Sequence, residues 1–348
     1  MPDATGVPLA PLTTLKLGGP ARRLVTVTDA GELVAAVRAA DDAREPLLIL
    51  AGGSNVVVAD EGFPGTVVLV RTRGVATLRD GTGATRRTVQ AGEPWDDLVA
   101  RCVADGLSGL ECLSGIPGST GATPIQNVGA YGQEVADTIT AVQAYDRVDD
   151  RVVELPASAC RFGYRRSMLK DTDRYVVLDV TFALTPERLS RALRYAELAA
   201  AVGEPIGGRA PLPAVRAAVL ALRRRKGMVL DAGDPDTASA GSFFTNPILA
   251  AGEFAALVER AGATPPHWPL PEGRVKVPAA WLIERTGFGK GFRAGRVGIS
   301  RKHSLALTNR GGATATELMA LAAAIRDRVR DTFGIELVIE PVLVGLGW

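Results

Sequence analysis

A run of 19 residues, 114–132, contains five glycines and no charged side chain. So much glycine with so little side-chain bulk predicts a backbone that packs directly against a flat, phosphate-bearing ligand. The alternative is an irregular surface loop, although loops longer than about 12 residues are usually functional or disordered. Ile116, Ile125, Val128 and Tyr131 supply apolar anchors, which favours an ordered binding loop over disorder.

A second glycine turn, Ala51-Gly52-Gly53-Ser54-Asn55, follows a short apolar stretch that we predict as a buried strand, 47–50. Glycines there allow backbone N–H groups to converge on an anion. The pattern is neither GxGxxG nor GxxxxGK[ST], so the dinucleotide-binding fold and the P-loop both lose support. A purely structural turn stays open at this point.

Composition bounds the remaining possibilities. A chain of 348 residues is too long for one ordinary core and predicts two or three domains. The sequence has no apolar run long enough to span a membrane, no secretory signal and no CxxC among its three cysteines, so we expect a cytoplasmic protein without a disulfide framework. A net charge of +2 argues against nucleic-acid binding. The two histidines lie far apart in the sequence, which argues against a histidine metal site.

The hydrophobic pattern predicts an α+β protein. Residues 24–70 are typical of a small α/β unit, with strands at 24–28, 47–50 and 56–58 and a helix capped by Asp29. Further elements follow in chain order: short strands in 71–187 with turns at 79–83 and 149–150, a helix at 95–105, a helical connector at 188–240, helices near 253–261, 278–285 and 314–333, a cap at Gly334 and a terminal strand at 335–344.

Together, AGGSNVVVADEGFPG (51–65) and SGIPGSTGATPIQNVGAYGQEV (114–135) closely resemble the UDP-N-acetylenolpyruvoylglucosamine reductase family of cell-wall precursor enzymes. The resemblance continues in order through CRFGYRRSMLK (160–170), LRYAEL (193–198), SAGSFFTNP (239–247), AAWLIERTGFGKGF (279–292) and FGIELVIEPVLVG (333–345). It implies a two-part FAD-binding domain of the vanillyl-alcohol-oxidase type and a C-terminal α+β substrate-binding domain. We place the three parts at 1–70, 71–210 and 211–334. Whether the C-terminal strand, 335–348, also joins the first part stays open.

In this family the two glycine turns hold the pyrophosphate and flavin of FAD. The residues that match are Gly52, Gly53, Ser54, Asn55, Ser114, Gly115, Gly118, Ser119, Gly121, Ile125 and Tyr131. Many relatives in the wider flavoprotein group tether the flavin through a histidine near the first turn. Residues 47–66 contain none, so we expect non-covalent FAD, with NADPH as co-substrate.

The family reaction passes hydride from NADPH through the flavin to C3 of an enolpyruvyl group, and a proton is added at C2. It therefore needs cationic or hydrogen-bonding groups at the substrate carboxylate and an acid at C2. Arg165 matches the family arginine at the carboxylate, and its planar fork suits bidentate binding. The alternative is a surface ion pair. The next residue, Arg166, departs from the acidic or small residue that is common there.

Ser242 matches the family's proton donor, and Glu340 matches its C-terminal glutamate. The flanks of Glu340 make burial plausible, and burial without a partner raises the pKa of a carboxyl. Glu336, four residues earlier, competes because both would project from the same face of a strand. Many relatives carry an arginine where this chain has Val342.

Three further matches concern the substrate. Tyr195 matches a tyrosine that closes over the substrate diphosphate in one family subtype, Lys226 a lysine near the substrate, and Asn246 a substrate-contacting asparagine. Their structural alternatives are a half-buried helix tyrosine, a solvated basic helix end and a turn residue before proline. His303 has no assigned role. The runner-up function is a flavin-dependent alcohol or sugar oxidase, and we expect a monomer.

Overall fold

The computed structural model describes residues 3–79 and 83–348, so the turn expected at 79–83 lies partly outside it. The chain forms two compact units. Unit 1 comprises the described residues up to Val7, Ala21–Gly53 and Phe63–Val229, and unit 2 comprises Pro8–Pro20, Ser54–Gly62 and Leu230–Trp348. The three-part division of the sequence stays a prediction.

The strands, in chain order, are β1 (Asp3–Pro8), β2 (Pro20–Val27), β3 (Leu47–Leu50), β4 (Val56–Val58), β5 (Phe63–Val70), β6 (Val75–Arg79), β7 (Thr85–Gln90), β8 (Gly129–Ala130), β9 (Gln133–Glu134), β10 (Ile139–Asp146), β11 (Arg151–Pro156), β12 (Tyr175–Leu184), β13 (Ile248–Leu249), β14 (Trp268–Pro269), β15 (Val275–Lys276), β16 (Arg293–Ala294), β17 (Val297–Ile299), β18 (Leu307–Asn309) and β19 (Val342–Val344). The α-helices are α1 (Ala30–Asp42), α2 (Trp95–Ala104), α3 (Ala196–Val202), α4 (Leu212–Arg225), α5 (Ala251–Ala261), α6 (Ala279–Glu284) and α7 (Ala315–Phe333).

Unit 1 contains a four-stranded sheet, β1-β2-β5-β3, and a five-stranded antiparallel sheet, β11-β10-β12-β7-β6. The prediction of helix α1 is confirmed, since the Asp29 carboxylate accepts the N–H of Glu32 and so caps the first turn. Its apolar face, which includes Leu33 and Val37, is buried in the core that also contains Trp95 and Phe182. The predicted helix at 95–105 is confirmed as α2.

Unit 2 surrounds α7 with short strands: two three-stranded sheets, β13-β15-β14 and β16-β17-β18, and the parallel pair β19-β4. Helix α7 begins with a capping box at Thr314 and ends at Gly334, whose φ of 70° lies in the left-handed region that glycine tolerates. The core includes both adjacent phenylalanines, Phe243 and Phe244. No helix among the described residues is long and apolar enough to cross a membrane.

Two predicted elements are wrong in extent. The terminal strand expected at 335–344 is a strand only at β19. Ile335 and Leu337 are buried, so their alternation satisfies the core, but the backbone there makes only an isolated bridge, Phe244↔Ile339, and Pro341 has no N–H to donate. The connector at 188–240 is helical only in α3 and α4.

Candidate functional site

The two glycine turns meet through their backbones in unit 1. A Cβ placed on Gly52 would lie 2.9 Å from the carbonyl carbon of Gly118 and still closer to its Cα. Real Cβ atoms do not approach backbone so closely, so no side chain fits at Gly52. Gly53 and Gly118 have φ values of 58° and 121°, which favour glycine. The structure therefore brings together two turns that lie more than 60 positions apart in the sequence.

Where the two turns meet, four backbone N–H groups have no acceptor in the described part of the protein. Among residues 3–79 and 83–348, the N–H groups of Gly52, Gly53, Gly118 and Ser119 form no hydrogen bond to protein. Gly53 and Ser119 are buried, and buried N–H groups in native proteins almost always have a partner. Converging N–H groups on adjacent turns form an anion-binding concavity. The arrangement fits the pyrophosphate of FAD.

Other glycine-loop residues use their donors inside the protein. The Ser114 hydroxyl donates to the carbonyl of Glu111 (2.7 Å), and the N–H of Gly115 donates to the Asp96 carboxylate (2.6 Å). The N–H of Gly121 donates to a backbone carbonyl at 2.9 Å, and a Cβ on Gly121 would collide with Ala91. These contacts fix the shape of the loop, so part of its glycine content is explained by internal packing.

A cluster of aromatic and basic side chains extends from the end of the same loop. The ring of Tyr131 meets that of Tyr195 edge-on, with centroids 5.4 Å apart. The Lys226 ammonium lies 5.6 Å from the Tyr131 ring centroid and 2.5 Å from a carboxylate oxygen of Glu197. Burial raises the pKa of Tyr131 to about 12. Two residues predicted for the substrate, Tyr195 and Lys226, thus lie beside one predicted for the cofactor.

Arg223 belongs to this cluster, and sequence reasoning missed it. Burial lowers the pKa of its guanidinium to about 10, and its Nε has no hydrogen-bond partner among the described residues. Its Nη2 donates to the carbonyl of Met228 at 2.7 Å. The structural alternative for this helix end, a solvated basic surface, does not fit Arg223. A desolvated cation with an unused donor is typical of an anion site.

Arg165 occupies a tight turn in unit 1. Gly163 and Arg166 exchange both backbone hydrogen bonds across this turn, and Arg165 has a φ of 52°. Its Nη2 donates to the carbonyl of Gly129 at 2.9 Å, and its guanidinium lies 5.2 Å from the centroid of the Tyr164 ring. Left-handed backbone at a non-glycine residue stores strain and is frequent at functional sites. The turn holds Arg165 against the glycine-rich loop.

In unit 2 a short backbone pairing joins the segments that carry Ser242 and Glu340. The N–H of Glu340 donates to the carbonyl of Phe243 at 2.9 Å, and the N–H of Thr245 donates to the carbonyl of Val338 at 2.9 Å. Ser242 immediately precedes this short antiparallel pairing, and both Ser242 and Glu340 are partly buried. In this register Glu340 lies opposite Phe243, so segments almost 100 residues apart bring the backbone of the predicted glutamate to the residue after the predicted acid.

The second half of the first glycine turn belongs to this arrangement. The Asn55 amide donates to the carbonyl of Glu340 at 3.3 Å, and the N–H of Val342 donates to the carbonyl of Asn55 at 3.0 Å. The Thr14 hydroxyl lies 2.7 Å from the carbonyl oxygen of Ser239 and 3.4 Å from that of Ser54. Thr14, which sequence reasoning did not single out, joins the glycine turn to the loop of Ser242.

Glu336, Asn246 and His303 have different surroundings in the structure. Glu336 is 55% exposed and lies 3.6 Å from Arg326 of α7, whereas Glu340 is partly buried, so the expectation that both project from one strand face is wrong. Asn246 accepts the N–H of Ala279 at 3.0 Å and so caps α6. His303 Nδ1 accepts a backbone N–H two residues later, at 3.1 Å.

Comparison with known proteins identifies the domains of the chain. Residues 21–155 match the model of an FAD-binding domain, and residues 234–344 match that of the C-terminal domain of UDP-N-acetylenolpyruvoylglucosamine reductase. The UDP-N-acetylenolpyruvoylglucosamine reductase of Thermobifida fusca (strain YX) is 57% identical, covering 99% of this chain and 98% of that protein. That of Salinispora arenicola (strain CNS-205) is 58% identical, covering 97% of this chain and 94% of that protein.

A solved structure extends the likeness to the fold. The crystal structure of UDP-N-acetylenolpyruvylglucosamine reductase (MurB) from Thermus caldophilus has 27% sequence identity and a TM-score of 0.65, covering 99% of this chain and 98% of that one. The predicted fold class, a mixed FAD-binding domain with a separate C-terminal α+β domain, is confirmed. The chain is an oxidoreductase and belongs to the UDP-N-acetylenolpyruvoylglucosamine reductase family.

Proposed function

We propose that this chain reduces the enolpyruvyl group of UDP-N-acetylenolpyruvoylglucosamine to give UDP-N-acetylmuramate, a peptidoglycan precursor, with NADPH as electron donor. We further propose that it acts as a monomer in the cytoplasm. High identity over nearly the whole chain supports the reaction. The observation that carries it is the backbone hydrogen bond from Glu340 to Phe243, which joins the segments that carry Ser242 and Glu340.

FAD would be held, without a covalent bond, by the backbone donors of the two glycine turns. The free N–H groups of Gly52, Gly53, Gly118 and Ser119 match the negative charge of its pyrophosphate. Bound there, FAD supplies two-electron hydride transfer between the nicotinamide and the enolpyruvyl carbon. Ser114, Gly115 and Gly121 support the loop, as their internal hydrogen bonds indicate.

Arg165 would bind the substrate carboxylate. Hydride addition at C3 pushes negative charge through C2 into that carboxylate, so a fixed cation there stabilises the enolate-like intermediate on the substrate. The bond from Arg165 to the carbonyl of Gly129 holds the guanidinium before substrate arrives, which lowers the entropic cost of binding.

Ser242 would donate the proton to C2, and Glu340 would stabilise the same intermediate. A serine hydroxyl is a weak acid, so its proton moves only towards a strongly basic carbon, and the developing carbanion provides one. Among the described residues, the Ser242 hydroxyl has no hydrogen-bond acceptor, which leaves its proton available. Tyr195 and Lys226 would contact the diphosphate of the substrate. The side-chain oxygen of Asn246 caps α6, so Asn246 would contact the substrate through its amide nitrogen.

The test is a visible spectrum of the purified protein, followed by anaerobic addition of NADPH and then of the enolpyruvyl nucleotide. We expect a flavin spectrum that bleaches with NADPH and returns with substrate. Oxygen consumption with an alcohol or sugar, combined with no return of colour on adding the enolpyruvyl nucleotide, would instead assign the chain to the oxidase alternative.

A further inference from the structure

A basic cavity lies in unit 1 next to Arg165. It has a volume of about 350 Å³ and is lined by Arg161, Arg166, Ser167, Met168, Lys170 and Asp171. This volume is at the lower end of the roughly 300–1,000 Å³ that small-molecule sites occupy, so the cavity is large enough for one group of a ligand and too small for a whole dinucleotide.

The lining has an unbalanced positive charge. Three cations, Arg161, Arg166 and Lys170, face one carboxylate, Asp171, which leaves a formal charge of +3 − 1 = +2. Within the described part of the chain, none of these three cations forms an ion pair. Arg161 and Arg166 are exposed, so their guanidinium groups are accessible to an anionic ligand.

The backbone of the same segment is held in an unfavourable conformation. Arg161, Arg165 and Asp171 all have left-handed φ values, 48°, 52° and 61°. Non-glycine residues rarely adopt this region, and three within eleven positions indicate a segment whose shape is imposed by its surroundings. The Ser167 hydroxyl donates to the carbonyl of Ile125 at 2.5 Å, which fixes the segment to the glycine-rich loop.

The cavity is also linked directly to the candidate site. The ammonium of Lys170 donates to the backbone carbonyl of Arg165 at 3.3 Å. One of the three lining cations therefore touches the turn that orients Arg165. A ligand group in the cavity would therefore lie next to the turn that carries Arg165.

We propose that this cavity binds a dianionic phosphate group, either the ribose 2′-phosphate of NADPH or free inorganic phosphate. A phosphate monoester carries about −1.5 to −2 charge at pH 7, which matches the lining. The two guanidinium groups can each offer paired N–H donors to its oxygens. The first source rests on the proposed function, because it requires NADPH as co-substrate, and it makes the cavity the determinant of NADPH preference over NADH.

The experiment compares holoenzyme with the double variant Arg161→Asn/Arg166→Gln. Asparagine tolerates the left-handed backbone of position 161, so the change removes charge without adding strain. For flavin reduction we expect kcat/KM to fall roughly tenfold or more with NADPH, the scale of one lost charge-assisted hydrogen bond, and to stay near wild type with NADH. Calorimetry should show the same selective loss for adenosine 2′-monophosphate relative to adenosine, which has no phosphate.

Two controls accompany the double variant. Arg44→Asn removes an exposed arginine with the same backbone geometry, φ 53°, elsewhere in unit 1, and should change neither ratio. Arg166→Lys keeps the charge and should retain most of the NADPH preference. If inorganic phosphate alone loses affinity in the double variant while the NADPH to NADH ratio is unchanged, free phosphate is the ligand and the co-substrate assignment is wrong.

Equal behaviour of wild type and double variant in all three assays overturns the site. Failure of wild-type protein to oxidise NADPH would instead contradict the proposed function, and the phosphate titration would still decide whether the cavity binds an anion.

Discussion

The two units present opposite kinds of chemistry. Unit 1 presents donors and positive charge: free N–H groups at Gly52 and Gly118, the strained Arg165, and the desolvated Arg223. Unit 2 presents a hydroxyl and a carboxyl, Ser242 and Glu340, held by main-chain pairing. Unit 1 is suited to bind anionic groups and unit 2 to supply a proton. Substitutions in unit 1 should therefore change binding and charge stabilisation, and substitutions in unit 2 should change proton delivery.

The largest effect is expected at Ser242. Ser242→Ala should slow flavin reoxidation by the enolpyruvyl substrate by at least about 10²–10⁴-fold, the range for a lost general acid. FAD content and reduction by NADPH should stay normal, because the change leaves unit 1 intact. Stopped-flow absorbance measures both half-reactions in one sample. Reoxidation near the wild-type rate would remove Ser242 as the acid.

Arg165→Lys should be next in size. Lysine keeps the positive charge but lacks the planar guanidinium that can bind a carboxylate with two hydrogen bonds. We therefore expect flavin reoxidation to slow by roughly 10²-fold, as when one preorganised donor is lost at a developing oxyanion. The matched control is Arg151→Lys, an exposed arginine of β11 in the same unit. If both variants reoxidise equally fast, Arg165 does not act on the substrate carboxylate.

Gly52→Ala tests binding through the backbone. The added methyl collides with Gly118, and overpacking of this kind costs about 1–3 kcal/mol, so FAD should bind roughly ten- to a hundredfold more weakly. Fluorescence titration of apoprotein with FAD measures the affinity. Gly252→Ala is the control in unit 2, where nothing lies within 4 Å of the added Cβ. The same FAD affinity in both variants would contradict the turn-to-turn contact.

The smallest effect concerns a buried carboxyl in unit 1. Burial, with a lesser contribution from the charge of Glu154, raises the pKa of Asp179 to about 6. Ionising it therefore costs the folded state above pH 6, and this cost disappears below the unfolded pKa of about 4. Asp179→Asn should raise the free energy of unfolding by about 2 kcal/mol at pH 8 and leave it unchanged near pH 4. Urea unfolding at both pH values measures the difference.

Unit 2 offers the opposite case as a control. Asp236 is fully buried, but hydrogen bonds from the backbone N–H and guanidinium of Arg301 outweigh burial and lower its pKa. Its stabilising contribution is present above the unfolded pKa of about 4 and is lost as pH falls through the folded value. Asp236→Asn should therefore destabilise the protein at pH 8. If both variants were more stable than wild type at pH 8, the hydrogen bonds from Arg301 would not explain the lowered pKa of Asp236.

Local sequence rules predicted the helices α1, α2 and α7 well. Asp29 and Thr314 cap helices because their side chains accept nearby backbone N–H groups, and Gly334 ends α7 because the left-handed conformation suits glycine. The rules failed at 335–341, where alternation of apolar residues predicted a strand. Alternation reports burial of side chains, and a strand also needs a hydrogen-bonded neighbour along its length.

The sequence by itself determined the α+β class, the two glycine turns and, through ordered motifs, the family; the residues of the proposed reaction stay predictions. Tertiary structure alone decided which glycine N–H groups remain unpaired, that Glu340 and not Glu336 pairs with the loop of Ser242, and that Arg223 is desolvated. The physical reason is distance along the chain. Burial and hydrogen-bond partners are set by segments far apart in sequence, as Thr14 and Ser239 illustrate across 225 positions.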